Sequence, residues 1–493
     1  MNERGVQQLT DIYKGLDPEP VFKFFQEISS IPRGSGNEKA ISDYMVEFAR
    51  ARNLHCIQDE ALNIIIKKPG NFGYENAPTV IIQGHMDMVC DKNKETRHDF
   101  EKDPIKLRVE GDMLYANNTT LGADNGIAVA YGLALLDSKD IPHPPLEVLL
   151  TTEEETGLIG ASALDMNNLT GKYLINIDSE EEGYLLAGCA GGVRTKHCIP
   201  ISWEDVKDEL EYYIISIKGL KGGHSGADIH LDRGNSNKLM GRALNQLQRS
   251  INYSVADING GFKMNAIPRE ADAVVAIEPQ DNAKFLEIID DLRETLKNEL
   301  RVTDSGFSLN TEKYQNDVKK VFSEDTKKKV IMSLLLIPNG VMSMSHEIQG
   351  LVVSSSNLGV VTTDEKEVCF ESAVRSSVKS LKYYILSQTE AVAELLGAEF
   401  ETSSDYPEWE FEPNSKLRTI FEEVYESMYG KNPVITAVHG GLECGLFKAK
   451  RPDLDMVSMG PNLYDVHTPN EHLSISSTRR VWEYLLEVLK SIK

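Results

Sequence analysis

His85 in "VIIQGHMDMV", Asp124 in "LGADNG", Glu154 and Glu155 in "TTEEETG", Asp178 in "INIDSE" and His467 in "YDVHTPNE" are of types that ligate metals or move protons. Each stands in or beside a short apolar or glycine-containing stretch, where an ionised group needs a partner. Singly they say little: the His-x-Asp pair of His85 and Asp87 is, taken alone, a satisfied histidine at a strand end. Together, two imidazoles and three carboxylates suit two Zn²⁺ or similar ions lying close together. One carboxylate can bridge, each ion keeps a position for water, and one carboxylate is left over to act as a base.

The elements around these residues are of the kind that could gather them. Two amphipathic helices flank the loop "PRGSG", and the strand patterns "NIIIKKP", "TVIIQGHMD", "LEVLLTTEEE" and "KYLINIDSEE" alternate with the apolar helix "NGIAVAYGLALLDS". Nearly continuous apolar strands between helices predict an α/β sheet covered on both faces. In such sheets functional groups collect where strands end, and "GHMD", "TTEEE" and "NID" repeat that device. From about residue 190 the texture changes to half-buried alternation, as in "LEYYIISIKGLKGGHSG", with amphipathic helices such as "NAKFLEIIDDLRETLKNEL". The α/β texture returns beyond about residue 400, so the middle α+β region reads as an insertion.

The chain has 493 residues, 41% of them hydrophobic and 26% charged, with a formal net charge of -24. That length predicts at least two domains, and the acidic balance argues against nucleic acid or an anionic membrane as partner. No apolar run is long enough to span a bilayer, and the N-terminal stretch lacks the apolar core of a secretory leader, which predicts a cytoplasmic protein. The six cysteines are scattered without a C-x-x-C, so they read as small core residues rather than a disulfide framework or zinc knuckle.

The ordered motifs "GHMDMV", "GADNG", "TTEEETG", "INIDSEEEG", "KGGHSGADIH", "NAIP" and "HTPNE" resemble the M20 metallopeptidase family, in particular its aminoacyl-histidine dipeptidase branch. The resemblance covers essentially the whole chain. It implies a zinc-peptidase-like catalytic domain, a mixed sheet covered by helices on both faces, at 1–190 and 401–493. It also implies an inserted α+β lid at 191–400 that mediates homodimerisation.

Carried over residue by residue, the resemblance implies that His85 and Asp178 hold one zinc, that Glu155 and His467 hold the other, and that Asp124 bridges them, with Co²⁺ or Mn²⁺ as substitutes. Glu154 would be the general base, Asp87 would orient the His85 ring, and the Asp124–Asn125 peptide would be cis. Counting back from Gly157 sets this frame in the Glu153-Glu154-Glu155 triplet. Glu180, Glu181 and Glu182 read instead as a solvated charge run. His224, Asn265 and Arg375 would be lid residues that meet the substrate, while Gly441 and Glu443 of "HGGLECG" would belong to a substrate-binding loop of the catalytic domain. In the family, aspartate at position 178 goes with peptidases that accept a free amino terminus. The activity implied is a cytoplasmic di-zinc dipeptidase acting on short peptides, Xaa-His dipeptides such as β-alanyl-histidine among them. An aminoacylase or deacetylase would share the same site. A non-catalytic binding protein would be expected to have lost a ligand or the base, and none is lost.

Overall fold

A computed structural model describes residues 12–206 and 209–493; the N-terminal stretch read above for a leader lies, up to residue 11, outside the described residues. The chain divides into two compact units. One runs to Gly188 and is taken up again by Phe411–Ala437 and Leu442–Lys493; the other comprises Cys189–Glu410 and Val438–Gly441.

In the first unit the β-branched runs become strands because they pack well on a pleated surface buried on both sides. The central strands are Leu146–Thr151, Val80–His85, Tyr173–Asn176 and Asp455–Ser458, neighbours in that order and parallel to one another. Antiparallel strands extend the sheet outward from Leu146–Thr151, through Ile64–Lys68 to His55–Gln58, and from Asp455–Ser458 to Tyr184–Cys189. The result is the mixed sheet with helices packed on it that the sequence predicts. Helix Glu19–Ser29 buries Phe22, Phe24, Phe25 and Ile28, and helix Lys39–Ala51 buries Ile41, Met45 and Phe48. Helix Ala123–Asp137, made of small and aliphatic residues, is buried nearly all round, as a helix without a polar face must be.

The second unit is α+β. Its large sheet is antiparallel throughout, with Val352–Thr363 paired to Glu367–Ser376 and that strand paired to Gly191–Pro200. Helices Ser236–Gln248 and Glu324–Leu336 start where the Asn235 and Ser323 side chains accept backbone N–H groups of the first turn, which would otherwise have no intrahelical partner. Their buried faces, including Leu239, Leu244, Ile331 and Leu334, form one core with the sheet. Among the described residues no helix is long and apolar enough to cross a membrane.

Two features differ from the sequence expectation. Strand Glu399–Tyr406 is almost wholly exposed yet pairs with Gly191–Pro200, so the second unit continues to Glu410 instead of ending near 400. A strand with no buried alternation carries no period-2 signal. Secondly, Cys198 and Cys369 form a disulfide. They are 171 positions apart and meet because antiparallel pairing sets them directly opposite, which spacing along the chain does not reveal.

Candidate metal centre

Parallel strands point their carboxyl ends to the same edge of a sheet, and here that edge carries the candidate ligands. His85 is the last residue of Val80–His85, Glu154 and Glu155 follow Leu146–Thr151, and Asp178 follows Tyr173–Asn176. Asp124 stands in the first turn of Ala123–Asp137, and its peptide bond to Asn125 is cis. His467 lies on the loop between Leu463–Tyr464 and His472–Ser474.

These side chains converge. Nε2 of His85 is 3.2 Å from Oδ1 of Asp124 and 3.6 Å from Oδ1 of Asp178. Nε2 of His467 is 3.1 Å from Oδ2 of Asp124 and 3.0 Å from Oε1 of Glu155. Asp124 therefore turns one oxygen to each imidazole. Donor atoms of His85, Asp124 and Glu155 all lie within 4.8 Å of one another. Two ligands bound tetrahedrally to one zinc, each about 2.0–2.2 Å from it, stand about 3–3.5 Å apart, so the spacing fits.

The charges fit as well. Burial, followed by the neighbouring Asp178, Glu443 and Glu155 carboxylates, pushes Glu154 up to about 9 against the opposing pull of His85. Burial likewise lifts Asp178 to about 6, with His85 opposing and Asp124 and Glu155 adding to it. Hydrogen bonds to Asp124 and Glu155 carry His467 up to about 11. Crowded acids that retain protons, beside imidazoles that gain them, form a donor set short of positive charge, which divalent ions would supply.

A layer of partners orients the donors. Oδ1 of Asp87 is 3.2 Å from Nδ1 of His85 and accepts the Glu154 N–H at 3.1 Å. Its Oδ2 accepts the Ser35 hydroxyl at 2.8 Å and the Glu155 N–H at 3.3 Å. One buried carboxylate thus holds both the imidazole and the turn that presents Glu154 and Glu155. Asn125, named in the sequence only for the cis peptide, accepts the His85 N–H at 3.2 Å and donates to the Ile177 carbonyl at 2.6 Å, tying two ligand-bearing strand ends together. Its place beside Asp124 in "LGADNG" was the available signal.

Two further acids lie near the ligands. Glu443, read as a substrate contact, is wholly buried, and its Oε2 accepts hydrogen bonds from Gln83 at 2.5 Å and Thr151 at 2.8 Å. Through that oxygen it supports the strand ends, while its Oε1 has no hydrogen-bond partner among the described residues. Glu180 is exposed, as a solvated charge run would have it, while partial desolvation beside the site, then the Asp124 and Asp178 charges, raise it to about 7.

His224, Asn265, Arg375 and Gly441 all fall in the second unit. The ribbon that pairs Gly223–His224 with Ala266–Ile267 brings His224 beside Asn265, whose carbonyl accepts the Ser225 N–H at 2.9 Å. Nδ1 of His224 accepts the N–H groups of Gly226 at 3.3 Å and Ala227 at 3.1 Å. That fixes the tautomer, with the proton on Nε2. Arg375 donates to the Tyr406 hydroxyl at 3.0 Å. A Cβ on Gly441 would stand 2.9 Å from the same Tyr406 ring. His439, not singled out in the sequence, joins this group through a 2.7 Å hydrogen bond between its Nε2 and the Ser355 hydroxyl; its position at the head of "HGGLECG" was the only hint.

Comparison with known proteins shows the family. The family model described as Peptidase family M20/M25/M40 matches residues 81–491. The cytosol non-specific dipeptidase of Escherichia coli (strain K12) is 40% identical over 97% of this chain and 98% of its own. The crystal structure of aminoacylhistidine dipeptidase from Vibrio alginolyticus superposes with a TM-score of 0.93 at 40% identity, covering 98% of both chains. Aminopeptidase PepT from Bacillus cereus, at 15% identity and a TM-score of 0.56 over 97% of this chain and 99% of its own, shares the fold. By the match of the family model and by identity along nearly its whole length, the chain belongs to peptidase family M20/M25/M40.

Proposed function

We propose that the chain is a di-zinc dipeptidase that hydrolyses short peptides, including Xaa-His dipeptides such as β-alanyl-histidine. The observation that carries this reading is Asp124, whose two oxygens face His85 and His467 separately. The substrate class is supported by the full-length likeness to dipeptidases, one of them named for aminoacyl-histidine.

His85 and Asp178 would hold one ion, Glu155 and His467 the other, and Asp124 both; Asp87 would keep the His85 ring in place through Nδ1. When bound, such ions polarise a peptide carbonyl and acidify a water, and Co²⁺ or Mn²⁺ would serve similarly. Glu154, the acid outside the ligand set, would give up its retained proton once the ions supply positive charge; its carboxylate then takes a proton from the attacking water and returns it to the leaving nitrogen. His224 donates its Nε2 proton toward the developing oxyanion, and the Arg375 fork, with Asn265 and the open backbone at Gly441, receives the substrate's backbone and carboxylate. The second unit serves as a lid and as the surface of a homodimer. The word "cytosol" in the E. coli relative's name supports a cytoplasmic location.

Elemental analysis, with a dipeptide panel run beside N-acetyl amino acids in zinc, cobalt and manganese, tests this. Two ions per chain and cleavage of Xaa-His dipeptides are expected. A fully active preparation with fewer ions, or turnover confined to N-acetyl amino acids, overturns it.

A further inference from the structure

Two buried charged side chains outside the ligand set grip the backbone on which His85, Asp87 and Asp124 stand. Arg33, only 2% exposed, donates from Nη1 to the carbonyls of Met86 at 2.9 Å and Asp87 at 3.1 Å, and from Nη2 to the carbonyl of Gly122. Glu471, also 2% exposed, accepts the backbone N–H groups of Leu121 at 2.7 Å, Gly122 at 3.0 Å, Ala123 at 2.8 Å and Asp124 at 3.3 Å. A guanidinium only donates and a carboxylate only accepts, so the two satisfy opposite polar groups of one turn. Those N–H groups open helix Ala123–Asp137 and have no intrahelical partner, and leaving them buried and unpaired is costly. Gly122 lets the grip close: its φ is 69°, and a Cβ there would stand 2.6 Å from Nη2 of Arg33.

We propose that Arg33 and Glu471 form a clamp that holds Asp124 against the end of the His85 strand, so that both metal positions depend on two residues that ligate neither ion. The inference rests on the di-metal reading above. Because Asp124 is the shared ligand, a shift of its turn misplaces donors at both positions at once. Arg33 and Glu471 are positioning residues.

The test uses the full chain with Glu471→Gln, which keeps the size but turns an NH₂ toward backbone N–H groups, and Arg33→Lys, which keeps the charge but loses the fork. Tyr484→Phe, which removes a buried 2.6 Å hydrogen bond to the Phe421 carbonyl in the same unit, controls for general loss of stability. Two quantities are read: hydrogen exchange at the amides of residues 121–124 in metal-free protein, and the number and affinity of Zn²⁺ and Co²⁺ ions bound. In Glu471→Gln the exchange should quicken about tenfold or more and the affinity for both ions should fall about 10–100-fold. Arg33→Lys should act in the same direction, and Tyr484→Phe should bind ions as the wild type does. Wild-type ion affinity in Glu471→Gln overturns the clamp, and so does an equal loss in Tyr484→Phe. If the wild type itself binds fewer than two ions, the di-metal reading falls and exchange alone decides: quickening in both variants supports the clamp, unchanged exchange overturns it. Should Glu471→Gln not fold, Arg33→Lys decides by the same criteria.

Discussion

The first unit's His85 and His467 and the second unit's His224 and His439 are the same side chain in opposite electrostatic settings. His467 is carried up to about 11 by hydrogen bonds to Asp124 and Glu155, and His85, despite burial, is raised by Asp124, Asp178 and Asp87. In the second unit burial, reinforced by the Arg375 charge, lowers His224 and takes His439 down to about 3. One cluster is rich in negative charge and suited to collecting cations. The other keeps neutral imidazoles near a guanidinium, suited to donating hydrogen bonds to an anionic group. The neighbours, more than the residue type, decide which chemistry a histidine can perform.

The largest expected effect comes from breaking the first cluster at its shared member. Asp124→Ala should lose both ions and reduce turnover to background, read by elemental analysis beside activity; retention of one tightly held ion would mean that the two positions do not share this carboxylate. Next, Glu154→Gln should keep the ions and lose about 10²–10⁴ in turnover, whereas Glu155→Gln should weaken ion binding. An exchange of those two phenotypes would shift the frame set by Gly157 by one residue.

The second cluster should respond differently. His224→Ala should leave ion content intact and lower kcat by about 10²–10³, with little change in KM. A fully active variant would return this histidine to an ordinary loop role. Mixed with Glu154→Gln under conditions that exchange subunits, it should regain activity at some sites if His224 acts across a dimer, and at none if it acts within its own chain.

The smallest effect concerns His197, buried in the second unit with Nε2 3.0 Å from the Ser333 hydroxyl and held down to about 4 by burial. The unfolded chain protonates this histidine from about 6.5 downward while the folded chain does not. Its contribution is therefore fully present above pH 6.5 and is lost as pH falls toward 4, at no more than about 1.4 kcal/mol per unit. Denaturant midpoints of His197→Gln against wild type should show a flatter dependence in that window and none of this difference above it.

The strands around the candidate centre were legible because nearly continuous apolar runs stop abruptly at His85, Thr151 and Asn176, and that pattern belongs to buried parallel strands. Strand Glu399–Tyr406 was not, since an exposed edge held by backbone pairing leaves no hydrophobic period. Asn125 and Arg33 sit in glycine-bearing stretches and Glu471 in the loop-like "HTPNE", where a polar residue carries no signal until its partners are known, and Glu471 meets Leu121 across 350 positions.

The sequence alone determined the local matters: which runs are apolar enough to become buried strands, which side chains stand at their ends, and which ligand types are available. These depend on residues within a few positions of one another, and periodicity and motif spacing record them. Only the tertiary structure decided that the two oxygens of Asp124 face different imidazoles, that Glu443 is enclosed with Gln83 and Thr151, that Cys198 lies opposite Cys369, and that Arg33 and Glu471 grip one turn from two sides. Each of these contacts joins segments far apart in the chain. Whether such polar groups pair or stay solvated depends on strand register and burial, which the packing of the whole unit sets.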